Sequence, residues 1–419
     1  MKIKTLLLSL VLVTLLLCSF GLFSLYQKYL QTPDLTVVGF VDMADGIGRQ
    51  SAELIDTFKT EFNIGFVSTR KNKLKGVPEP VKKILSDKRS QFGKVVLFED
   101  MLWWPGESKY KKISTQLAEN SIKIAYSMCE STQIPPEWVV ILNRYFDAVV
   151  VPDKFLIDVY KNCGVTLPVF EVPLGLDLST FLEMPLKKAP HRPMVFGNLS
   201  VCSDRKNHIQ LIRAFAKAFG NNPDVLLRIN SRYGEKEVIN AVTKEIADLG
   251  LQNIQFTQLC LDKKAYLELF ESIDCYVSIS KGEGFSIQPR EAMALGIPTI
   301  VTDNTAQSTI CNSKLVKAIA STHLEAALYP WGDCYGSSFN CNSDDVALAM
   351  QDVYNNYSAY LKQAADAREW ARQYQYENLK GFYRCLIKPK ELIQGEKNAV
   401  TPEYLMTNSE SLYHKYQKL

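Results

Sequence analysis

Short apolar runs alternate with helical stretches along most of this chain. Residues 36–41, Thr-Val-Val-Gly-Phe-Val, form an apolar run bounded by polar residues, and a glycine turn and a helical stretch through Phe58 follow it. A helix is also predicted from Asp153 to Cys163, where Gly164 takes the C-cap position. The other strands predicted in this half are residues 94–98, 147–152 and 168–173. Alternation of this kind predicts a parallel sheet covered by helices.

The same alternation restarts after residues 178–193, a polar and proline-rich stretch that we interpret as a linker between domains. A helix is predicted from about Arg205 to Phe219, and apolar residues at helical spacing from Asp345 onward predict one or two long amphipathic helices. Beyond Lys390 the sequence is polar, and a loosely held tail is expected. The predicted strands are residues 194–196, 225–229, 254–256, 275–279 and 299–302, with helices at 264–271 and 289–295.

A length of 419 residues favours two globular domains over a single core. The predicted fold class is therefore α/β, with two Rossmann-like parallel-sheet domains and an N-terminal transmembrane helix. We predict a membrane anchor and linker over 1–35, a first domain over 36–187, a second domain over 188–372, and a C-terminal helix and polar tail over 373–419.

The apolar run from Thr5 to Tyr26 is long enough, as a helix, to cross a hydrocarbon core. It is longer than the apolar part of most cleaved signal peptides and lacks a small-x-small cleavage site. We therefore predict a single-pass N-terminal anchor, with a cleaved signal peptide as the alternative. Lys2 and Lys4 precede the run and favour a cytoplasmic N-terminus, but they leave the side of the membrane open.

The charges nearly balance, with 48 Lys and Arg against 45 Asp and Glu. This balance gives no long-range field that would attract nucleic acid, so no nucleic-acid partner is expected. The ten cysteines occur singly, without the short paired spacings of zinc sites. No metal site is predicted, and whether the cysteines form disulfides is left open.

Residues 281–298 leave a predicted strand, cross a glycine-rich loop and enter a helix, with Pro289 suited to the first helical position. In an open parallel sheet such a loop lies at the carboxyl edge, where ligands bind. The backbone amides of Gly284, Phe285 and Ser286 would then face an anion or hydroxyl groups at a helix N-terminus.

Two carboxylates belong to this segment, Glu283 in the loop and Glu291 in the expected first helical turn. An ionised carboxylate accepts several hydrogen bonds and suits vicinal sugar hydroxyls, which predicts a polyol ligand. The alternative is that Glu291 stabilises the helix end and that Glu283 is simply solvated.

The pattern Glu-Gly-Phe-Ser-x-x-x-x-Glu-Ala-Met-Ala-Leu-Gly-x-Pro, from Glu283 through Glu291, resembles the Glu-x7-Glu motif of retaining glycosyltransferases of family 4, the glycosyl transferases group 1. Residues 134–138 and 149–175 extend this resemblance over most of the chain after residue 36. The resemblance implies the GT-B fold, in which residues 36–187 would form the acceptor domain and residues 188–372 the nucleotide-sugar donor domain, facing each other across a cleft. It also implies metal-independent catalysis without a cofactor.

By the same resemblance, Glu283 would be the catalytic residue beside the reacting carbon of the transferred sugar, and Glu291 would hold the ribose of the nucleotide. In this family an arginine shortly before a lysine grips the diphosphate, and Lys206 matches that lysine. Asn198 follows Gly197 where the family pattern differs. Either Arg205 substitutes for the arginine, or diphosphate affinity is weaker.

Arg205 and Lys206 also point to a phosphate site without the resemblance, because two cations in a first helical turn oppose the helix dipole unless an anion binds there. A solvated basic turn is the alternative. Gly46 and Gly48 follow the first strand, and the lack of side chains would let the backbone approach a donor. A plain tight turn explains them equally well, although the matching GT-B loop lines the cleft.

For the acceptor side, Trp103 and Trp104 are predicted as a stacking platform, because aromatic faces pack on sugar rings, with core packing as the alternative. Glu130 precedes an Ile-Pro-Pro stretch that resembles part of the family's acceptor domain, and it is predicted to bind the acceptor. All four histidines lie outside the first domain, so no histidine base is assumed.

The sequence therefore predicts an enzyme that moves a sugar from a nucleotide-diphosphate sugar to a glycan, lipid or protein acceptor, with retention of configuration. One alternative is a catalytically inactive GT-B protein that binds nucleotide sugars or glycans. A nicotinamide-dependent oxidoreductase is a third interpretation, and it rests only on Gly46 and Gly48.

Overall fold

The computed structural model describes residues 32–87, 92–103, 121–329 and 331–388. The predicted membrane helix from Thr5 to Tyr26 and the polar tail lie outside these ranges. Within the described ranges, no helix combines the length and the apolar character needed to span a bilayer. The membrane anchor therefore stays a prediction.

The first half of the chain folds around a six-stranded parallel sheet with the strand order β2-β1-β3-β4-β5-β6. Every residue of β1, β3 and β5 is buried, as expected for a parallel sheet with both faces covered by helices. The strands are β1 (Leu35–Gly39), β2 (Ile64–Ser68), β3 (Val95–Glu99), β4 (Ile122–Tyr126), β5 (Ala148–Val151) and β6 (Val169–Glu171). The helices are α1 (Gly46–Phe58), α2 (Glu79–Ser86), α3 (Pro136–Tyr145), α4 (Phe155–Asn162) and α5 (Ser179–Glu183).

The second half builds another six-stranded parallel sheet, in the order β12-β11-β10-β7-β8-β9. Its strands are β7 (Met194–Asn198), β8 (Val225–Asn230), β9 (Ile254–Thr257), β10 (Cys275–Ser278), β11 (Thr299–Asp303) and β12 (Lys317–Ala320). Its helices are α6 (His208–Phe219), α7 (Lys236–Leu249), α8 (Lys263–Glu271), α9 (Ile287–Leu295) and α10 (Thr305–Cys311). The prediction of two Rossmann-like parallel-sheet domains is confirmed.

Each sheet has a point at which the strand order reverses. In the first sheet it lies between β1 and β3, and in the second between β7 and β10. The loops that leave such neighbouring strands diverge to opposite faces of the sheet and open a crevice at the carboxyl edge, where ligands of doubly wound folds bind. These two switch points fix where sites are expected.

A hairpin and three α-helices follow the second sheet in the described part of the chain. An antiparallel hairpin of β13 (His323–Leu328) and β14 (Cys334–Asn340) reaches the first domain, since the Thr132 amide donates to the Ser337 carbonyl at 3.2 Å. The helices α11 (Ser343–Asn355) and α12 (Tyr357–Ala371) follow. The last helix, α13 (Tyr376–Ile387), returns to the first domain, where the Tyr383 hydroxyl donates to the Pro173 carbonyl at 3.2 Å.

Several boundaries differ from the sequence predictions. Strands β2 and β4 and the β13–β14 hairpin are present but were not predicted. Helix α9 begins at Ile287 rather than Pro289, and α6 begins at His208 rather than Arg205. Residues Asp204–Lys206 instead form a separate 3-10 turn, because Asn207 takes a left-handed conformation with φ of 61°. The nine described cysteines are free thiols.

Candidate active site

Glu283 lies in the loop that connects β10 to α9, at the switch point of the second sheet. Its backbone amide donates to the Thr305 hydroxyl at 2.8 Å, and its side chain is buried. One carboxylate oxygen pairs with the Lys206 ammonium group, and the other lies 2.9 Å from the Arg205 guanidinium. The structure therefore brings together the predicted catalytic carboxylate and both predicted phosphate-binding cations.

Burial acts to raise the pKa of the Glu283 carboxyl, but the charges of Lys206 and Arg205 outweigh it and lower that pKa to about 2. Glu283 is therefore ionised near neutral pH. Burial lowers the pKa of Lys206, and the nearby Arg205 charge lowers it further, against the opposing effect of Glu283. Two cations, Lys206 and Arg205, thus lie next to each other around the Glu283 carboxylate, and adjacent cations suit an added anion.

Arg205 also contacts the first domain. Its guanidinium donates to the Gly282 carbonyl at 2.6 Å and lies 3.3 Å from the Glu130 carboxylate. A methyl group at Gly282 would approach the Glu130 carbonyl oxygen to 1.9 Å, so only glycine fits where the two domains meet. Glu130, which was predicted to bind the acceptor substrate, thus lies beside Arg205, and its side chain is half-exposed.

Glu291 lies in the second turn of α9, not the first as expected, because the helix begins at Ile287. Its side chain is fully buried and already has two partners. The Arg49 guanidinium lies 2.6 Å from one oxygen, and the Tyr266 hydroxyl donates to the other at 2.7 Å. Neither Arg49 nor Tyr266 was predicted from the sequence to belong to the site. Arg49 directly follows Gly48 of the glycine turn, which was predicted.

The glycine turn after β1 forms the N-terminus of α1. The Asp45 carboxylate caps this helix and accepts from the amides of Ile47 at 3.0 Å and Gly48 at 3.3 Å. A side chain at Gly48 would meet the Phe40 ring at 2.7 Å and the Asp42 amide nitrogen at 2.6 Å, so packing within the first domain explains this glycine. Gly46 faces the other domain, since a methyl group there would lie 3.5 Å from Ile287.

Residues Gly284, Phe285 and Ser286 pack closely against their neighbours. Phe285 is buried against Tyr374, with ring centroids 5.5 Å apart. The Ser286 hydroxyl accepts from the Gln307 amide at 3.1 Å. A Cβ at Gly284 would lie 3.1 Å from the Met128 side chain of the first domain. This segment is therefore a tight contact between the domains beside Glu283.

Asn198 ends β7 at the same switch point, but its side chain is buried and paired inside the second domain. Its Nδ2 donates to the Val277 carbonyl at 2.8 Å, and its Oδ1 accepts from the Ser200 hydroxyl at 2.6 Å. The Ser200 hydroxyl also lies 3.1 Å from Nε2 of His208. Burial, and then the Lys206 charge, lower the pKa of His208 to about 4, so this imidazole is neutral near pH 7.

Trp103 lies after β3 and contacts the hairpin of the second domain, with its ring centroid 6.2 Å from that of Trp331 in an edge-to-face arrangement. Tyr329 adds to this aromatic group at 4.9 Å from Trp331. These contacts do not decide between a sugar platform and packing. Trp104 lies outside the described residues.

No group of three or more His, Cys, Asp and Glu side chains suited to a metal ion occurs in the part of the chain that the structure describes. The charged groups of the candidate site form two ion-pair clusters. One is Glu283 with Lys206 and Arg205, and the other is Glu291 with Arg49.

Comparisons with known proteins place this geometry in a wider context. Residues 183–326, about a third of the chain, match the family described as glycosyl transferases group 1. This segment contains Lys206, Glu283 and Glu291, while the first domain and the final helices lie outside it. A comparison with curated protein sequences gives no match.

Solved structures share the fold across both domains. A glycosyltransferase from Rickettsia africae ESF-5 is 15% identical, with 86% of this chain and 99% of that chain covered and a TM-score of 0.62. Alr3699/HepE of Anabaena, solved with UDP and glucose, is 13% identical, with 83% and 98% covered and a TM-score of 0.59. The trehalose-6-phosphate synthase OtsA is 11% identical, with 84% and 98% covered and a TM-score of 0.58. The chain thus has the two-domain GT-B architecture, and together with the family match this supports a GT-B glycosyltransferase.

Proposed function

We propose that this protein is a retaining glycosyltransferase that moves a hexose from a nucleotide-diphosphate sugar to a hydroxyl-bearing acceptor without a metal ion. The observation that carries the proposal is the meeting of Glu283 with Lys206 and Arg205 at the switch point of the second sheet. One carboxylate beside two cations matches a substrate that presents both sugar hydroxyls and a diphosphate.

Donor binding would exchange partners within this cluster. The diphosphate carries more negative charge than one carboxylate, so Lys206 and Arg205 would turn from Glu283 to the phosphate oxygens. Glu283, released from these ion pairs, would then accept hydrogen bonds from the sugar, and its carboxylate would stabilise positive charge near the reacting carbon. The ion pairs thus keep all three groups close together at the place where the donor would bind.

The transfer itself would proceed on one face of the sugar. The acceptor oxygen bonds to the anomeric carbon, the bond from that carbon to the diphosphate oxygen breaks, and the acceptor proton passes to the leaving diphosphate. Lys206 and Arg205 stabilise the charge that develops on the diphosphate. This route needs no histidine base, in keeping with the absence of histidine from residues 36–187.

Glu291 has a less direct role in this proposal. The Glu291 side chain is fully buried against Arg49 and Tyr266, so a ribose would reach its carboxylate only if one of these two side chains moved. We propose that ribose binding loosens the Arg49 contact and that Arg49 keeps its second ion pair with Glu53, which lies 2.6 Å away.

The first test is a panel of nucleotide sugars, beginning with UDP-glucose because Alr3699/HepE was solved with it. The correct donor should stabilise the protein by about 2.7 kcal/mol at a hundredfold excess over its Kd, measured by thermal unfolding. Slow release of the nucleoside diphosphate without an acceptor would then demonstrate turnover. A donor that binds but is never cleaved, with or without a panel of sugar and lipid acceptors, would contradict an enzyme.

That outcome would instead support the second candidate, an inactive GT-B binding protein. The observation that favours it is that both motif glutamates, Glu283 and Glu291, are held in ion pairs, and that Asn198 is buried and paired where the family pattern differs.

We further propose that residues Thr5 to Tyr26 anchor the protein in a membrane, through an apolar run of sufficient length. The mature protein should keep its N-terminus. N-terminal sequencing that starts after residue 20 would indicate a cleaved signal peptide instead.

A further inference from the structure

A small cavity of about 20 Å³, enough for one water molecule or one hydroxyl group and partly open to solvent, lies at the carboxyl edge of the first sheet and is separate from the Glu283 cluster. It is at the switch point between β1 and β3, where a doubly wound sheet is expected to bind a ligand. The residues that line it are Ile47, Gln50, Glu99, Asp100, Met101, Tyr126, Ser127, Met128 and Trp138.

Glu99 lies in the wall of this cavity, and its carboxylate can accept more hydrogen bonds than it does within the protein. The side chain is 1% exposed. One carboxylate oxygen accepts from the Ser51 hydroxyl at 2.8 Å and the other from the Gln50 amide at 3.3 Å. A carboxylate has about four lone-pair positions, so further donors can bind. Burial raises the pKa of this carboxyl to about 7, and these hydrogen bonds only partly oppose the shift.

Trp138 lines the same cavity and supplies a second polar group. Its side chain is buried, and its indole Nε1 has no hydrogen-bond partner among the described residues. A buried N–H without a partner costs free energy, so it points to a group that is absent from the protein itself. A hydroxyl group can accept from an indole N–H and donate to a carboxylate, which makes it the matching chemistry.

The charges in the cavity wall argue against an anionic ligand. Asp100 lies beside Glu99, and no lysine, arginine or histidine is among the described residues that line the cavity. Asp100 is already engaged, because it accepts from the Thr69 hydroxyl at 2.5 Å and pairs with Arg70. A phosphate or carboxylate group would therefore meet Glu99 without a compensating cation.

The cavity is next to the donor side of the cleft. Met128 lines it, and the same side chain packs against Gly284, one residue after Glu283. Ile47 and Gln50 come from the first turns of α1, whose first residue, Gly46, faces Ile287 of α9. A ligand in the cavity would therefore lie between the first sheet and the loop that carries Glu283.

We propose that this cavity binds a hydroxyl group of an uncharged sugar acceptor, held by a hydrogen bond to Glu99 and one from the indole of Trp138. The inference rests on the proposed function and narrows its acceptor to a neutral glycan end rather than a phosphorylated one. Glu99 and Trp138 act here as binding and positioning residues, and the chemical step remains at the Glu283 cluster.

Binding, rather than turnover, gives the sharpest test. Saturation-transfer NMR titrations of the full chain would use methyl α-glucoside, methyl α-mannoside and methyl α-galactoside, with glucose 6-phosphate as the anionic probe. At least one neutral glycoside should bind, and glucose 6-phosphate should bind more weakly. At pH 8, above the Glu99 pKa of about 7, Glu99→Gln should weaken glycoside binding by about tenfold, because a charge-assisted hydrogen bond is lost.

Two further variants keep the test decisive. Trp138→Phe removes the N–H donor together with part of the buried ring, so it should lower stability somewhat and weaken binding several-fold. Glu171→Gln changes a partly buried carboxyl at the end of β6 in the same sheet and should leave binding within about twofold of wild type. Thermal unfolding would establish that each variant is folded.

The proposal is overturned if no neutral glycoside binds, if glucose 6-phosphate binds best, or if folded Glu99→Gln and Trp138→Phe both bind like wild type. Failure of the proposed function gives a different pattern. In that case the glycoside titrations would still depend on Glu99, while no nucleotide sugar would be bound or cleaved.

Discussion

The guanidinium of Arg49 lies 2.6 Å from a carboxylate oxygen of Glu291, and this buried ion pair joins the two domains. Arg49 also pairs with Glu53, and Glu291 also accepts from Tyr266. The contact links the glycine turn after β1 to the helix that follows the Glu283 loop. A nucleotide that displaces Arg49 from Glu291 would therefore alter the interface between the domains.

The first prediction concerns the energetics of that pair. Arg49→Met should destabilise the protein by about 3–5 kcal/mol, because it leaves Glu291 buried without its cation. Glu291→Gln in the Arg49→Met background should recover part of this loss, since the unpaired charge is then removed as well. Urea unfolding of both single variants and the double variant gives the coupling energy. Strictly additive effects would mean that the contact contributes nothing.

The second prediction separates the two cations of the proposed phosphate site. Lys206→Ala should weaken binding of a nucleoside diphosphate by about ten- to a hundredfold, while binding of the bare nucleoside stays nearly unchanged, since only the diphosphate presents charge there. Arg205→Ala should weaken binding of the nucleoside diphosphate equally strongly if Arg205 replaces the arginine of the family pattern. Isothermal titration with UDP and uridine measures both.

Lys217→Ala is the matched control for this experiment. Lys217 is an exposed cation on α6 that pairs with Asp344, away from the Glu283 cluster. Its removal should leave UDP affinity within about twofold. If Lys206→Ala weakens UDP and uridine equally, the phosphate site lies elsewhere.

A third prediction follows from the competition between Glu283 and the diphosphate for the same cations. Glu283→Gln should abolish sugar transfer and, at the same time, tighten UDP binding by about three- to tenfold, because Lys206 and Arg205 are no longer neutralised. Glu325→Gln provides the comparison. Glu325 lies in the hairpin, and its carboxylate is 2.5 Å from the Lys281 ammonium group. This variant should leave sugar transfer and UDP affinity unchanged. Weaker UDP binding in Glu283→Gln would argue that the carboxylate positions the cations instead.

The fourth prediction is a pH dependence of stability that originates at Glu99. Its pKa is raised from 4.5 to about 7 in the folded protein, mainly by burial, so the folded state binds the proton more tightly than the unfolded state. This contribution to stability is present below pH 4.5 and is lost as the pH rises through 7. The loss is on the order of 3 kcal/mol.

Glu99→Gln cannot ionise, so its stability relative to wild type should increase between pH 5 and pH 8 in urea unfolding experiments. Three tyrosines interact with Glu99 electrostatically, Tyr126, Tyr376 and Tyr383, and burial raises the pKa of each, so they stay neutral across this range. A relative stability that falls with pH would contradict the burial argument.

Much of the fold follows from sequence patterns. Strands such as Ala148–Val151, apolar along their whole length, were recognisable because both faces of a parallel strand are buried. Ile64–Ser68 was missed since it has a glycine at its second position and is only partly buried, which weakens its apolar pattern. The hairpin residues His323–Leu328 expose Leu324 and Leu328, so they lack the pattern of one buried face that identifies a strand.

Part of the site could also be predicted from a local sequence pattern. Glu283 and Glu291 carry a local motif, and a local motif can be read from the sequence. Their ion pairs cannot, because Lys206 is 77 residues from Glu283 and Arg49 is 242 residues from Glu291. Such contacts depend on how loops from separate strands, and from separate domains, come together.

The return of α13 to the first domain has a consequence for synthesis of the chain. Phe58 and Tyr383 share one core, with ring centroids 5.9 Å apart, and Arg384 pairs with Glu61 at 2.5 Å. During translation the first domain emerges early, yet one wall of its core comes from a helix that is made after the whole second sheet. Until Tyr376–Ile387 leaves the ribosome, this helix cannot cover the apolar surface, so the first domain is completed only after the second sheet has been made.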